Sequence, residues 1–144
     1  MSLTEKQEFI LKEFAKKNKA WPKPQLDAAL WLIRYKLSAL PHQKEPDDGE
    51  FDTFLMLAGR GAGKTWTASN WIGERAWLYD KTRWLVTAPT TNDIRATCFE
   101  GDSGLLNILP KSIIRDYNKS LLEITLINGS LIQGIPGSEP ERYR

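Results

Sequence analysis

The chain has 144 residues, a mass of 16.4 kDa and a formal net charge of +2 at pH 7. This length predicts one domain, and 41% hydrophobic with 26% charged residues is typical of a globular protein. The pI of about 8.7 is too low for charge alone to indicate nucleic-acid binding. A single cysteine, Cys98, excludes an internal disulfide framework and favours a reducing compartment. With no apolar run of membrane-spanning length and a charged N-terminus, we expect a soluble intracellular protein.

The first fifty residues predict a helical segment. Residues 4–19 predict a helix with Phe9, Ile10 and Phe14 on one side, and the stretch AWPKP at 20–24 ends it. A second helix is predicted from apolar residues at helical spacing, which are Leu26, Leu30, Ile33 and Leu37. The proline-containing acidic stretch at 40–50 predicts a solvent-exposed loop, in which His42 is expected to be a surface residue.

From residue 51 the pattern becomes α/β. Residues 51–58 and 83–89 are short apolar runs that predict buried strands, and each is followed by a helical pattern. This order predicts a mainly parallel sheet flanked by helices, with right-handed crossovers. Residues 121–136 hold two β-rich runs separated by Asn128-Gly129, which predicts a hairpin near the C-terminus.

The stretch LAGRGAGKT at 57–65 has the composition of a phosphate-binding loop between a predicted strand and a helix. Gly59, Gly61 and Gly63 let backbone N–H groups approach phosphate oxygens, because no Cβ intrudes there. The N-terminus of the following helix adds partial positive charge. Lys64 is expected to reach the β- and γ-phosphates, and the Thr65 hydroxyl is expected to bind Mg²⁺.

Two positions depart from the strict pattern. Ala58 stands where that pattern has glycine, but alanine fits the end of a strand if its φ is negative. Arg60 lies among the glycines, where it either adds a second cation near the γ-phosphate or is solvated or paired with an acid.

The loop resembles the P-loop of terminase large subunits, the ATPases that drive DNA into tailed-phage heads. Three other stretches agree with this resemblance in order and spacing. WPKPQLDAALW at 21–31 is similar to the adenine motif of that family, and RWLVTAPTTNDI at 83–94 is similar to its second-strand motif. NGSLIQGIPGSEPERYR at 128–144 resembles the hairpin that leads to an Arg-Gly step. The resemblance therefore implies the N-terminal part of a P-loop NTPase domain.

The resemblance also implies site residues and the cofactors ATP and Mg²⁺. The loop residues expected to contact ATP are Gly59, Arg60, Gly61, Ala62, Gly63, Lys64 and Thr65. Arg60 would sense the γ-phosphate, Thr65 would hold the metal and Gln25 would hydrogen-bond the adenine edge. Arg144, or else Arg142, would reach the ATP of a neighbouring subunit, and an arginine of this kind can raise the rate by ~10³–10⁵.

Hydrolysis also needs an acid on a buried strand, and no apolar run here ends in Asp or Glu. Glu123 is a poor candidate because apolar residues continue beyond it. We therefore expect residues 1–50 to be a helical segment with the adenine motif, and 51–144 to be the first half of an ATPase domain. On this interpretation the chain stops before the second acidic strand and before a separate nuclease domain, and is inactive alone.

The resemblance implies partners and a location as well. The expected partners are double-stranded DNA, a terminase small subunit, a portal protein and further copies in a ring, with no membrane, in the cytoplasm of a bacterial host. Two alternatives remain open. One is a helicase-like or other P-loop translocase, and the other is a non-hydrolysing fragment that binds nucleotide or a partner.

Overall fold

The computed structural model describes residues 3–44, 52–138 and 141. The helices are α1 (Glu5–Lys17), α2 (Lys23–Ser38), α3 (Lys64–Leu78), α4 (Thr91–Asp93) and α5 (Leu105–Ile108). A π-helix at Ile94–Phe99 continues α4, and short 3₁₀ turns lie at Pro41–Gln43 and Lys111–Ile113. The strands are β1 (Arg83–Ala88), β2 (Ile114–Asn118), β3 (Glu123–Leu126) and β4 (Leu131–Pro136). In this part of the chain, no helix combines the length and apolar character that crossing a bilayer requires.

The four strands form one mixed sheet in the order β1-β4-β3-β2. The α/β class is confirmed, but the prediction of a mainly parallel sheet is wrong. Only β1 and β4 are parallel, whereas β4 with β3 and β3 with β2 are antiparallel. The reason is the hairpin at Asn128-Gly129, whose Gly129 has a φ of 87°. It places β3 antiparallel to β4, and the turn at residues 119–122 places β2 antiparallel to β3, so two antiparallel pairs stand beside one parallel pair.

The predicted strand at 51–58 is also wrong over the residues that the structure describes, since 52–58 contain no strand. Leu55 and Leu57 are 71% and 86% exposed. A strand requires a neighbour for its backbone hydrogen bonds, and within the described chain β1 pairs only with β4. The apolar residues of 52–58 are typical of a buried strand, but they do not show whether a neighbouring strand is present to pair with them.

The core joins the N-terminal helices to the sheet. Sheet residues such as Ile124 and Ile132 pack in one cluster with Phe99 and with Trp31 of α2. The Trp31 indole also donates a hydrogen bond of 2.8 Å to the buried Asn70 side chain of α3. Helix α2 is thereby fixed against α3, the helix that follows the glycine loop.

The buried faces of the first two helices differ from the predicted ones. In α1 Leu11 is buried, whereas Phe9 and Ile10 are 63% and 40% exposed. In α2 the buried residues are Ala28, Trp31 and Tyr35, and the predicted stripe of leucines and isoleucine is not the most buried face. The aromatic side chains of α2 reach the neighbouring helix, which apolar spacing alone did not indicate.

Hydrogen bonds tie the C-terminal end of α3 to the hairpin. The Asn128 side chain donates to the carbonyl oxygens of Ala76 and Trp77, at 2.9 and 3.0 Å. The fully buried Ser130 hydroxyl donates to the Tyr79 carbonyl at 2.8 Å. These bonds satisfy carbonyl groups that a helix end leaves without intrahelical partners. They anchor the C-terminal end of α3 on the sheet. The N-terminal end of the same helix directly follows the glycine loop.

A polar contact links β2 to the segment after the π-helix. The Tyr117 hydroxyl donates to Glu100 Oε1 at 3.0 Å, and Lys119 Nζ lies 3.2 Å from the same oxygen. Burial, together with the hydrogen bond to Glu100, raises the pKa of Tyr117 to about 12. The contact therefore favours the protonated phenol.

This pKa shift predicts a loss of stability in alkali. Below pH ~10 Tyr117 is protonated in both folded and unfolded chains, so its contact contributes fully. As the pH rises from ~10 towards 12, the unfolded chain loses the proton first, and the contribution declines. We expect Tyr117→Phe to flatten this decline in urea unfolding measured across that range, whereas Tyr79→Phe keeps it. An equal alkaline decline in Tyr117→Phe and the unmodified chain would contradict the contact.

Candidate phosphate-binding site

Residues 58–65, here the phosphate loop, turn sharply into α3. Gly61 and Gly63 have φ of 81° and 78°, in the left-handed region that favours glycine. Gly63 is also the residue that precedes the first turn of α3. Gly59 does not share this backbone conformation, and a Cβ added there would meet nothing within 4 Å. Backbone conformation therefore requires glycine at 61 and 63, whereas at 59 it does not.

The start of α3 presents unsatisfied backbone donors to this loop. The helix is 15 residues long, and no side chain caps its N-terminus. The Thr67 N–H donates to the Gly63 carbonyl at 2.9 Å, which closes the first helical turn. The N–H groups of Lys64, Thr65 and Trp66 consequently have no acceptor within the helix. An anion at this position would accept these donors and interact favourably with the helix dipole.

Lys64 folds back over the phosphate loop. Its ammonium nitrogen donates to the carbonyl oxygens of Ala58 and Gly59, both at 2.7 Å. The side chain is exposed, so these carbonyls hold the ammonium at the mouth of the loop and leave it accessible. Ala58 takes part through its backbone alone, which is why alanine serves at the position where the strict pattern has glycine.

An open cavity of about 560 Å³ adjoins the loop and is here called the phosphate cavity. Its volume is within the range of small-molecule sites. One wall consists of Arg60, Gly61, Ala62, Gly63, Lys64, Thr65 and Trp66. The cavity is also lined by Ala96 and Thr97 of the π-helix and by Gly101, Asp102 and Ser103. The structure therefore brings Arg60, Lys64 and Thr65 to one cavity, which they share with polar residues from the segment after α4.

A second, mostly apolar cavity of about 350 Å³ lies on another side of the loop. Tyr35, Phe54 and Trp71 contribute aromatic surface to it, and Gln43 and Lys64 also line it. This apolar cavity borders α3 and shares Lys64 with the phosphate cavity.

Gln43 is a loop contact that the sequence reasoning missed. It is only 1% exposed, its amide nitrogen donates to the Ala62 carbonyl at 3.1 Å, and its amide oxygen accepts from the Leu40 N–H at 2.9 Å. The prediction of a solvent-exposed loop at 40–50 is thus wrong at this residue. A glutamine in a charged, proline-containing stretch carries no local signal of burial. The neighbouring His42 is exposed, as expected, with Nε2 3.4 Å from the Ala62 oxygen.

The remaining predicted residues lie away from the loop or outside the described chain. Gln25 is exposed on the first turn of α2 and lines neither of the two cavities. Its adenine role stays a prediction. Arg142 and Arg144 lie outside the residues that the structure describes, and so do 45–50 of the predicted acidic loop.

Asp102 is an acid near the loop that the sequence reasoning also missed. The expected metal-binding acid was one at the end of an apolar strand, whereas Asp102 follows the π-helix. Its carboxylate and the Thr65 hydroxyl are the oxygen donors that Mg²⁺ prefers, with phosphate oxygens and water completing the coordination. Over the described ranges no group of three or more His, Cys, Asp or Glu residues could hold a metal ion by itself. The donor set therefore fits a nucleotide-bound metal better than a protein-held one.

Comparisons with models of known protein families, with curated proteins and with solved structures found no match to this chain. A function for this chain is therefore inferred from the phosphate loop and the phosphate cavity.

Proposed function

We propose that this chain is the ATP-binding portion of a terminase large subunit, an ATPase that powers the packaging of double-stranded DNA into procapsids. The observation that carries the proposal is the phosphate loop. Gly61 and Gly63 have left-handed conformations, the N-terminus of α3 has no cap, and Lys64 and Arg60 border an open cavity. These features together provide backbone donors and two cations for a triphosphate.

In this proposal the triphosphate accepts hydrogen bonds from the backbone N–H groups at the start of α3. Lys64 leaves the Ala58 and Gly59 carbonyls and donates instead to phosphate oxygens, which are the better acceptors because they are charged. Thr65 would bind Mg²⁺, which when present neutralises charge on the β- and γ-phosphates. Arg60 contributes a second positive charge at the edge of the same cavity.

We propose further that the 144 residues bind ATP without hydrolysing it at a useful rate. No acid of the described residues stands at the carboxyl end of a strand beside Lys64, where a water-activating group is needed. The proposed partners are double-stranded DNA, a terminase small subunit, a portal protein and further copies of the protein in a ring, in the cytoplasm of a bacterial host. They come from the resemblance of the loop and its flanking motifs.

ATP binding tests the first part of this proposal. We expect calorimetric titration with Mg²⁺-ATP to give measurable binding, and Lys64→Ala to weaken it about 10–100-fold, since a charge-assisted hydrogen bond contributes ~1.5–3 kcal/mol. Lys12→Ala, which removes an equal charge from the exposed surface of α1, is the matched control and should bind as the unmodified chain does. Equal affinities for all three chains would refute the site.

ATPase rates test the motor function separately. In the full gene product, linear double-stranded DNA should stimulate hydrolysis, and Lys64→Ala should abolish it. Hydrolysis that DNA does not affect would point to a P-loop ATPase with another task. Rapid turnover by the 144 residues alone, lost in Lys64→Ala, would contradict the proposal that this portion is inactive by itself.

A further inference from the structure

Part of the lining of the phosphate cavity is a hydrogen-bonded turn, residues 100–104, here called the facing turn. The Gly104 N–H donates to the Gly101 carbonyl at 2.7 Å. The Asn107 side chain donates to the carbonyl oxygens of Glu100 and Gly101, at 3.1 and 2.9 Å. Because these bonds close the turn on itself and onto α5, Asp102 and Ser103 are held at its tip in the phosphate cavity.

At its two glycines the facing turn packs closely against the end of the π-helix, where no side chain fits. A Cβ at Gly101 would lie 2.7 Å from the Ala96 carbonyl oxygen, and one at Gly104 would lie 2.6 Å from the Phe99 oxygen. Phe99 and Leu105, on either side of the turn, are 0% and 1% exposed. The turn is therefore packed directly on the end of a π-helix, a distortion that occurs frequently at functional sites.

The position of Asp102 raises a problem of charge. Its carboxylate shares a cavity with the residues proposed to bind a triphosphate. Without a cation between them, the two anions repel each other. With a divalent cation between them, the same carboxylate attracts the complex. An exposed carboxylate that lines a phosphate site thus favours triphosphate binding when a divalent cation is bound with the nucleotide.

We propose that Asp102 is a metal-positioning residue, which would accept hydrogen bonds from water bound to a nucleotide-associated Mg²⁺ in the phosphate cavity. This inference rests on the proposed ATP-binding function. Mg²⁺ retains several waters when it binds to proteins, so a carboxylate across an open cavity can act on it without direct coordination. Asp102 thereby makes the affinity of the site for ATP depend on the metal.

The test compares ATP affinity with Mg²⁺ and with EDTA, using calorimetry. For the unmodified chain we expect tighter binding with Mg²⁺. Asp102→Asn should weaken binding by about 3–10-fold with Mg²⁺ and strengthen it by about threefold with EDTA, because one negative charge near the phosphates is removed. Asp80→Asn, at an exposed position just beyond the C-terminal end of α3 and therefore at the far end of that helix from the phosphate loop, makes the same charge change and should alter neither affinity.

Asp102→Glu, which keeps the charge, should retain most of the Mg²⁺ dependence. Far-ultraviolet circular dichroism verifies that each variant is folded. If Asp102→Asn behaves like Asp80→Asn in both buffers while Lys64→Ala still weakens binding, the role of Asp102 is overturned and the ATP site stands. If Lys64→Ala binds ATP normally, the proposed function itself fails.

Discussion

Gly63→Ala is expected to weaken ATP binding at least ~10-fold and to lower the free energy of unfolding by about 1–3 kcal/mol. Alanine must adopt a φ of 78° at this position, which costs energy for any residue with a Cβ. The new methyl group would also collide with the Gln43 amide nitrogen. That amide must then move and release the Ala62 carbonyl, so the loop loses the geometry that presents its N–H groups.

Gly59→Ala is the matched control for this change. It adds the same methyl group four positions earlier in the loop, where there is open space around the new Cβ and φ is not left-handed. Urea unfolding should therefore place Gly59→Ala within ~0.5 kcal/mol of the unmodified chain, with ATP affinity nearly unchanged. Similar losses in both variants would show that the loop needs glycine for a reason other than its backbone conformation.

Phe99→Ala is expected to lower the free energy of unfolding by about 3–5 kcal/mol. Phe99 is 0% exposed, its ring centroid lies 6.0 Å from that of Tyr117, and its Cζ would be 3.4 Å from a Cβ at Gly134. Removing the ring leaves a cavity at the point where the π-helix, the sheet and the facing turn meet. Since domains of this size are stable by only ~5–15 kcal/mol, the loss is a large share of the total.

Phe9→Ala removes the same ring from the surface of α1, where the side chain is 63% exposed. It should change the free energy of unfolding by no more than ~0.5 kcal/mol. Urea unfolding followed by circular dichroism measures both variants under the same conditions. A cost for Phe99→Ala below ~1 kcal/mol would mean that the packing around the facing turn is not as tight as the structure has it.

Local chemistry was sufficient to predict several elements of the fold. Asn128-Gly129 predicted the hairpin, and the structure places β3 and β4 on either side of it. Thr90 is also of a residue type that commonly caps helices, and its hydroxyl accepts from the Asp93 N–H at 3.1 Å. In both cases the determining contacts lie within a few residues, so the sequence pattern reports them directly.

The arrangement of the sheet depends on contacts between distant residues and was predicted incorrectly. Alternating strand and helix patterns predicted mainly parallel pairing, but among the described strands the one parallel pair joins β1 to β4, which follows it by more than forty residues. Residues 52–58 have the composition of a buried strand, yet Leu57 is 86% exposed. Apolar composition shows which side chains of a segment could be buried, but it does not show which neighbouring segment would cover them.

The candidate site shows the same difference between contacts that are local in sequence and contacts between distant residues. Lys64, Thr65 and the glycines were predicted because the spacing of the loop itself determines which of them face a phosphate. Gln43 contacts the loop from the Pro41–Gln43 turn, and Asp102 lines the phosphate cavity from the facing turn. Both are distant from the loop in sequence, so the spacing of residues within the loop does not indicate them. Both were found only from their positions in the folded chain.

Backbone amide chemical shifts measured during titration with ATP test the central claim most directly. If residues 58–65 bind the triphosphate, ATP should shift the amide signals of Gly61, Gly63, Lys64 and Thr65, whereas adenosine, which has no phosphate, should leave them in place. The account would be contradicted if saturating ATP left these four signals unchanged, or if ATP and adenosine produced the same shifts.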